Sequence, residues 1–426
     1  TSPYDTDMNN FGPRFGFAWK PFGSQKTAVR GGWGVFYDHP FDAGAPASAS
    51  LGFELSASIN SPDNGVTIPF RLQDGVPGYT ATKSPLNDSF GAVRVGQGTN
   101  TAVTFYEEQR RTGYSMQHNL TIQRDVGGGL MVEAGYLANL SRKLASSNMG
   151  INQVRPEILT PTATQRDRPY PQFSNVTILL PSLGVTNYHA LLVRAEKRFA
   201  RGFNFLGTYT WSKNLNNTNE GGSVLGAEGG TYSNLYNRRA DYGPSENDIP
   251  HRLTLSGVWE LPFGKGRAFL NDSPLRHVLG GWGLGAIFTA QSGPPFTVTT
   301  QVNPVYSAIG ASRANVSRNP NLPAGERTLL RWFDTGAFSQ PAQATFGNQG
   351  VNILRADGTA NVDLSILRTF LRGSETRKLQ LRGELFNATN HPDFGIPGRV
   401  FGAAGFGVVN SARASRSVQL GLRLVF

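Results

Sequence analysis

The sequence predicts an all-β protein, an antiparallel transmembrane β-barrel of about eleven strands with short periplasmic turns and long extracellular loops. Three observations predict it. Apolar residues recur at every second position in about eleven segments, aromatic residues stand at the ends of several of these segments, and the connections alternate between short and long. Alternation with a period of two is the pattern of a strand with two unlike faces, and the alternating connection lengths are typical of outer-membrane barrels.

Composition is compatible with such a barrel and excludes several other classes. Hydrophobic residues make up 38% of the 426 residues, and there is no run of about 18 apolar residues, so no transmembrane helix is expected. The absence of cysteine excludes disulfides and thiolate metal sites. The net charge of +11 comes from scattered arginines without a basic run, so no nucleic-acid partner is expected.

The last segment shows the alternation best. Val418, Leu420, Leu422, Leu424 and Phe426 fall on one face, and Ser417, Gln419, Gly421 and Arg423 fall on the other. A soluble β-sandwich also alternates. The aromatic residues at strand ends and the aromatic residue that closes the last strand favour the barrel, because outer-membrane barrels carry aromatic girdles at both membrane interfaces.

The same pattern places the other strands along the chain. The predicted strands cover residues 12–20, 26–37, 111–125, 129–140, 187–199, 202–215, 248–262, 279–292, 360–372, 376–389 and 416–426.

The connections between these strands alternate in length. The short ones are Pro21–Gln25, Val126–Gly128, Ala200–Arg201 and Gly373–Glu375, with a medium one at Phe263–Val278. The long ones are 38–110, 141–186, 216–247, 293–359 and 390–415. The long connections are rich in Gly, Pro, Asn and Ser and are expected to be mobile surface segments on the extracellular side.

An odd number of strands puts the two ends of the sheet on opposite sides of the membrane. Since a sheet in lipid needs a closed edge, residues 1–426 are expected to be the C-terminal portion of a barrel, with further strands upstream and no plug domain. The alternative is a twelve-stranded pore, in which a twelfth strand lies near Phe296–Thr300.

The titratable residues predict no catalytic, cofactor or metal site. None of the six histidines has the spacing of a helical metal site, and they are expected to be structural. Gly127-Gly-Gly129 precedes a strand and predicts a hairpin turn instead of a phosphate cradle. Eight charged residues on the polar faces are candidates for the barrel lumen. They are Arg30, Arg194, Glu196, Arg252, Glu260, Arg382, Glu384 and Arg423. Such a wall could attract an anionic solute or dock a plug, but pairing of opposite charges across neighbouring strands is the favoured interpretation.

Several segments together resemble one known family. These are Gly12–Trp19, Val29–Asp38, Tyr188–Leu191, Glu196–Phe199, Tyr209–Lys213, Arg239–Pro244, His251-Arg252, Glu260–Gly264, Gly280–Trp282, Asn352–Arg355 and Phe386–Pro392. With them the chain resembles the C-terminal barrel of TonB-dependent receptors of the Oar-like type, whose chains open with a carboxypeptidase-regulatory-like domain. The resemblance implies a barrel of around 22 strands, an internal plug and energy from an inner-membrane complex. This chain departs from the family pattern because it contains no plug, TonB box or regulatory domain.

The leading hypothesis is therefore the barrel of an outer-membrane receptor that takes up an unidentified solute, and not an enzyme. The expected partners are outer-membrane lipid, the barrel-assembly machinery through the strand ending at Phe426, and the TonB complex through upstream regions. The alternatives are a passive pore or a structural or secretion-related outer-membrane protein, and a soluble glycan-binding β-module. Loops 38–110 and 293–359 are expected to set the substrate, which no motif identifies.

Overall fold

The computed structural model describes residues 5, 7–23, 25–38, 70–74, 102–146, 148–171, 173–218, 232–305, 312–371 and 378–425. Its main element is one antiparallel sheet in which eleven strands follow one another in chain order. The strands are β1 (Arg14–Trp19), β2 (Thr27–Tyr37), β3 (Tyr114–Gly127), β4 (Leu130–Leu144), β5 (Gly184–Ala200), β6 (Phe203–Asn216), β7 (His251–Glu260), β8 (Trp282–Gln291), β9 (Thr359–Leu371), β10 (Lys378–Phe386) and β11 (Ser417–Val425). The two-residue strand Gly243–Pro244 also pairs with β6. All eleven predicted strands are present, and the predicted fold class is confirmed.

The sheet exposes large apolar side chains instead of burying them. In β11, Leu420 and Leu422 are 79% and 70% exposed, and the same face of the sheet carries exposed Phe15, Trp211 and Leu364. Soluble proteins rarely expose an apolar face of this extent, whereas a strand that faces lipid must do so. Among the described residues, none of the helices has the length and apolar character needed to cross a membrane.

The hairpin between β3 and β4 is built by its glycines. Gly127, Gly128 and Gly129 have φ values of 94°, 62° and 75°, in the left-handed region that only glycine adopts easily. The register shifts between Asp125 and Gly127, and the Asp125 carboxylate accepts a hydrogen bond of 2.8 Å from the Gly127 amide. The three glycines therefore form the predicted hairpin turn.

Short elements occupy the connections between these strands. The strands are Val103–Tyr106, Met149–Gly150, Val176–Leu179, Pro295–Phe296, Thr299–Thr300, Asn315–Val316, Phe338–Ser339, Leu354–Arg355 and Val400–Phe401. The 3-10 helices are Pro21–Gly23, Leu72–Asp74, Gln165–Asp167, Leu235–Asp241, Ala324–Glu326 and Thr335–Ala337, and the one α-helix in the described residues is Arg276–Leu279.

A hydrophobic cluster of buried residues lies in two of the long connections, outside the sheet. Buried Phe296, Phe333, Phe338 and Leu354 of the 293–359 connection pack together, and Val409 of the 390–415 connection joins them. We call this cluster the loop core. The sequence predicts a mobile surface segment at 293–359, whereas the described residues of this connection bury their aromatic side chains in a packed cluster.

The two edges of the sheet are β1 and β11. Within the described residues the sheet is an open path from β1 to β11, and the two edge strands do not pair with each other. The Phe296–Thr300 segment forms two-residue pairs, with Leu354–Arg355 and with Val400–Phe401, and not a strand of the main sheet. The twelfth strand considered in the sequence analysis is therefore absent from the described sheet. Phe426, the Gly373–Glu375 turn and most of 38–110 lie outside the described residues.

Candidate functional site

The polar face of the sheet is the candidate functional site, and the strand register shows how far it extends. Arg194 of β5 lies opposite Thr208 of β6, and Thr208 lies opposite Thr254 of β7. Directly opposite residues of an antiparallel pair point to the same face, so each register pair carries the face to the next strand. All eight predicted lumen residues fall on this one face. They are Arg30, Arg194, Glu196, Arg252, Glu260, Arg382, Glu384 and Arg423.

Charges on the polar face pair mainly within single strands. Arg194 contacts Glu196 and Arg382 contacts Glu384, each at 2.6 Å. The sequence predicts pairing of opposite charges across neighbouring strands instead, and these two pairs do not follow that prediction. Residues two positions apart on a strand lie about 7 Å apart on the same face, which a long arginine side chain spans easily. These pairs are partly or largely exposed, so each contributes little to stability, roughly 0–1 kcal/mol.

Two other predicted residues reach other elements. Glu260 accepts a 2.6 Å hydrogen bond from Arg267 in the connection that follows β7. Arg30 of β2 donates a 2.8 Å hydrogen bond to Gln123 of β3, which is a contact between neighbouring strands. Arg252 and Arg423 form no ion pair within the described part of the chain.

Concavities lie along the polar face in the part of the chain that the structure describes. One of about 640 Å³ is lined by Arg194, Glu196, Asp363, Arg382 and Glu384, among others. A second, of about 860 Å³, lies beside it and includes Glu260, Gln380, Gln419 and Arg423. A third, of about 280 Å³, combines Lys20, Lys26, Arg30 and Arg198 with Asp125. Side chains of both charges thus line the wall, which suits contact with water, polar solutes or another polar protein surface.

The long-loop end of the sheet is fastened by a buried carboxylate. Asp248 is fully buried, and it accepts hydrogen bonds from Lys213 at 3.1 Å, from the Asn214 amide at 2.7 Å and from Arg355. A buried charge requires such partners, because an unpaired carboxylate is costly in the interior. Asp248 thereby joins the end of β6 to Arg355, which lies in the segment that leads into β9.

A second buried ion pair holds the loop core to the Leu235–Asp241 helix. Arg313 contacts Asp241 at 3.2 Å and donates to the Ala240 carbonyl at 2.8 Å and to Ser233 at 2.9 Å. Burial raises the pKa of Asp241 and lowers the pKa of Arg313 by more than their mutual attraction offsets, so desolvation is the larger effect. Sequence patterns did not reveal Asp241, Asp248 or Arg313, because their partners lie far away in sequence.

The described residues contain no group of three or more His, Asp or Glu side chains placed to hold a metal ion. Of the six histidines, His118, His189 and His251 lie on the apolar face of the sheet. The sequence alone indicates a structural role for them. The signal that places them is the alternation itself, because each stands two positions before an apolar residue of its strand.

Comparison with known proteins agrees with this architecture. No curated protein matches the sequence. The chain is similar to the outer membrane transporter YddB from Escherichia coli, with 12% identity, a TM-score of 0.51, and coverage of 98% of this chain and 40% of that one. It also matches the FrpB iron transporter from Neisseria meningitidis, with 12% identity, a TM-score of 0.43, and coverage of 97% and 39%. The match to the ferripyoverdine receptor of Pseudomonas aeruginosa has 9% identity, a TM-score of 0.44, and coverage of 99% and 33%.

The YddB likeness supports the fold alone, and this chain spans about 40% of the length of that transporter. The family assignment comes from the sequence, which matches the outer membrane beta barrel domain over residues 1–419. An exposed apolar face, a polar charged face and this match together place the sheet in the bacterial outer membrane. The chain belongs to the outer membrane beta barrel domain family.

Proposed function

We propose that this chain is part of the barrel of a TonB-dependent receptor of the Oar-like type, which takes up a solute across the outer membrane. The observation that carries the proposal is the polar face, which continues over all eleven strands while the opposite face exposes apolar residues. In a membrane the apolar face meets lipid, so the polar face lines the barrel interior. The eight charged residues on that face would then line the lumen.

The open edges of the sheet support a larger barrel. Backbone N–H and C=O groups that lack partners in hydrocarbon cost several kcal/mol each, so β1 and β11 need partners in a membrane. We propose that strands outside this sequence pair with both edges. A barrel that contains these eleven strands together with the strands that pair with their edges would be wide enough to hold a plug domain, as the resemblance implies.

The loop core supports a receptor more than a simple pore. It covers the long-loop end with a packed aromatic cluster that includes Phe296, Phe333 and Phe338. A receptor needs a defined outer surface to recognise its solute, and sites on rigid elements are more precise than sites on mobile loops. The 293–359 connection is therefore the proposed position of solute recognition.

The last strand supports a role in assembly. The apolar face of β11 is exposed up to Leu424, which is 64% exposed, and the edge of β11 has no partner among the described strands. An edge strand of this kind offers backbone groups to another strand. We propose that the strand ending at Phe426 is the segment that the barrel-assembly machinery binds.

The experiment separates a TonB-dependent receptor from a passive pore. The complete protein is reconstituted into liposomes, and swelling is measured in isosmotic arabinose beside a known open porin. In parallel, the periplasmic domain of TonB from the same bacterium is immobilised and tested for capture of the complete protein. A receptor gives swelling no faster than empty liposomes and is captured by TonB. Swelling at the rate of the porin, without capture, would show that the protein is a passive pore.

A further inference from the structure

Histidines recur on the apolar face of the sheet near its long-loop end. His118 of β3 lies opposite Trp33 of β2, and its other register neighbour, Ala138 of β4, lies opposite His189 of β5. His251 is the first residue of β7 and lies opposite Trp211 of β6. These histidines stand on the face that meets lipid, although an imidazole is a poor group to place in hydrocarbon.

Two of the histidines form the same contact with a tyrosine. The Tyr136 hydroxyl lies 2.7 Å from His189 Nδ1, and the Tyr209 hydroxyl lies 2.8 Å from His251 Nδ1. The rings stack with centroids 6.2 Å apart in both pairs. The geometry repeats because each tyrosine lies opposite the leucine two residues after the histidine, so the two rings meet on the diagonal between neighbouring strands.

The tyrosine contact occupies Nδ1 of each histidine and leaves Nε2 to contact other groups. When the tyrosine hydroxyl donates to Nδ1, the ring proton resides on Nε2, because the partner of one ring nitrogen sets the state of the other. Both His189 and His251 are exposed on the surface of the sheet. In that tautomer, each pair presents an Nε2–H donor from the apolar face.

A lysine adds positive charge between the two pairs. Lys213 of β6 lies opposite His189, and it follows Trp211, the partner of His251, by two residues on the same face. Its ammonium group is held by buried Asp248, 3.1 Å away, which also pairs with Arg355. One carboxylate between two cations leaves a net charge of about +1 at this position. The Lys213 side chain is nevertheless 49% exposed, so it remains available to a ligand.

We propose that His189, Lys213 and His251, with Tyr136, Tyr209 and Trp211, form a binding site for the phosphomonoester headgroup of a lipid in the outer leaflet. The site lies where long loops leave the strands, which is the extracellular end of a barrel. Donors and a cation on a lipid-facing surface belong at headgroup depth, and the aromatic rings beside them suit the interface. Charge complementarity selects an anionic headgroup, and the two directed N–H groups suit phosphate oxygens.

The test measures lipid binding to the complete protein. The protein is purified in detergent and titrated with short-chain phosphatidic acid or phosphatidylcholine, and bound lipid is counted by native mass spectrometry. The test variant carries His189→Gln, Lys213→Gln and His251→Gln. The control variant carries Lys265→Gln and His277→Gln, which change exposed residues in the connection at the other end of the sheet. The loss of the Lys213 charge by itself is expected to weaken phosphatidic acid binding about fivefold, because a lysine near a membrane surface contributes about 1 kcal/mol.

The proposal predicts that the test variant binds phosphatidic acid more weakly by about fivefold or more. The control variant should bind phosphatidic acid as tightly as the unmodified protein, and phosphatidylcholine binding should be unchanged in both variants. A second variant, Tyr136→Phe with Tyr209→Phe, keeps every charge and should weaken binding less, because it frees the histidine rings without removing them. Competition by inorganic phosphate would show whether the phosphate group alone suffices or the lipid chains are also needed. Equal phosphatidic acid affinity in test and control variants, with both running as folded barrels on unheated gels, would overturn the proposal. The receptor assignment would survive that result.

Discussion

At the scale of single residues, the two faces of a strand should respond differently to charge. Leu422 is 70% exposed on the apolar face of β11, and its neighbour Gly421 lies on the polar face. A Cβ atom at Gly421 would meet only the Arg382 Cβ atom, at 4.0 Å, so a side chain fits there. Leu422→Arg should lower the free energy of unfolding in lipid by about 2–4 kcal/mol if it lies near mid-bilayer, and Gly421→Arg should change it little. Urea unfolding in vesicles measures both values, and equal tolerance of arginine at the two positions would contradict the assigned faces.

The buried Arg313–Asp241 pair should be sensitive to the loss of one partner. Replacing Arg313, which is 8% exposed, by methionine leaves the Asp241 carboxylate buried without a cation. Breaking such a pair costs about 3–5 kcal/mol, whereas replacing both partners by apolar residues is often nearly neutral. Amide hydrogen exchange in the loop core should therefore accelerate in Arg313→Met and recover largely in the double variant with Asp241→Leu. If exchange neither accelerates in Arg313→Met nor recovers in the double variant, the pair does not hold the loop core.

The same variant should acquire a pH dependence. Burial already raises the pKa of Asp241, and removal of Arg313 removes the attraction that lowers it. A carboxyl group whose pKa is raised in the folded state stabilises that state below its unfolded pKa, about 3.9, and the contribution is lost as pH rises through the folded pKa. Exchange protection in Arg313→Met should therefore be greatest near pH 4 and fall toward neutral pH. The double variant lacks the carboxyl group and should not show this fall.

At the scale of elements, the 293–359 connection should behave as folded structure. Phe333 is 1% exposed, and its ring lies 5.7 Å from Phe338 and 5.2 Å from Phe406, measured between centroids. Phe333→Ala should destabilise the loop core by about 3–5 kcal/mol and open 293–359 to protease added to intact cells. Leu330→Ala, at a residue 79% exposed, is the matched control and should leave the cleavage rate unchanged. Rapid cleavage of this connection in the unmodified protein would show that the loop core does not persist on cells.

At the scale of the whole molecule, the edges of the sheet can be tested because the chain has no cysteine. In the complete protein, cysteines at Gln380 and Arg423, which lie opposite each other on β10 and β11, should form a disulfide on oxidation. Cysteines at Gly16 of β1 and Gly421 of β11 should not, because the two edge strands are not paired. Both positions lie on the polar face, so their chemistry is matched. A disulfide between positions 16 and 421 would mean that the described sheet closes on itself and would favour the smaller pore.

The sequence by itself determined the eleven strands of the sheet and the two faces of each. Alternation is a local property, because the direction of each side chain follows from its position in the strand. In β11 the alternation separates Leu420 and Leu422 from Gly421 and Arg423 without knowledge of any partner strand. The candidate wall residues followed from the same alternation. The turn at Gly127–Gly129 was also local, because three residues suited to positive φ stand between two strands.

Only the tertiary structure decided which residues become neighbours across long stretches of chain. The loop core brings Phe296 against Phe333, and Asp248 meets Arg355, although nothing periodic in the sequence relates these positions. The Tyr136–His189 contact likewise depends on the register between β4 and β5, which is set by pairing along the whole strands. Local pattern can state which face a residue occupies, but the partner it meets there depends on register and chain path, and these form only when the whole sheet and its loops pack.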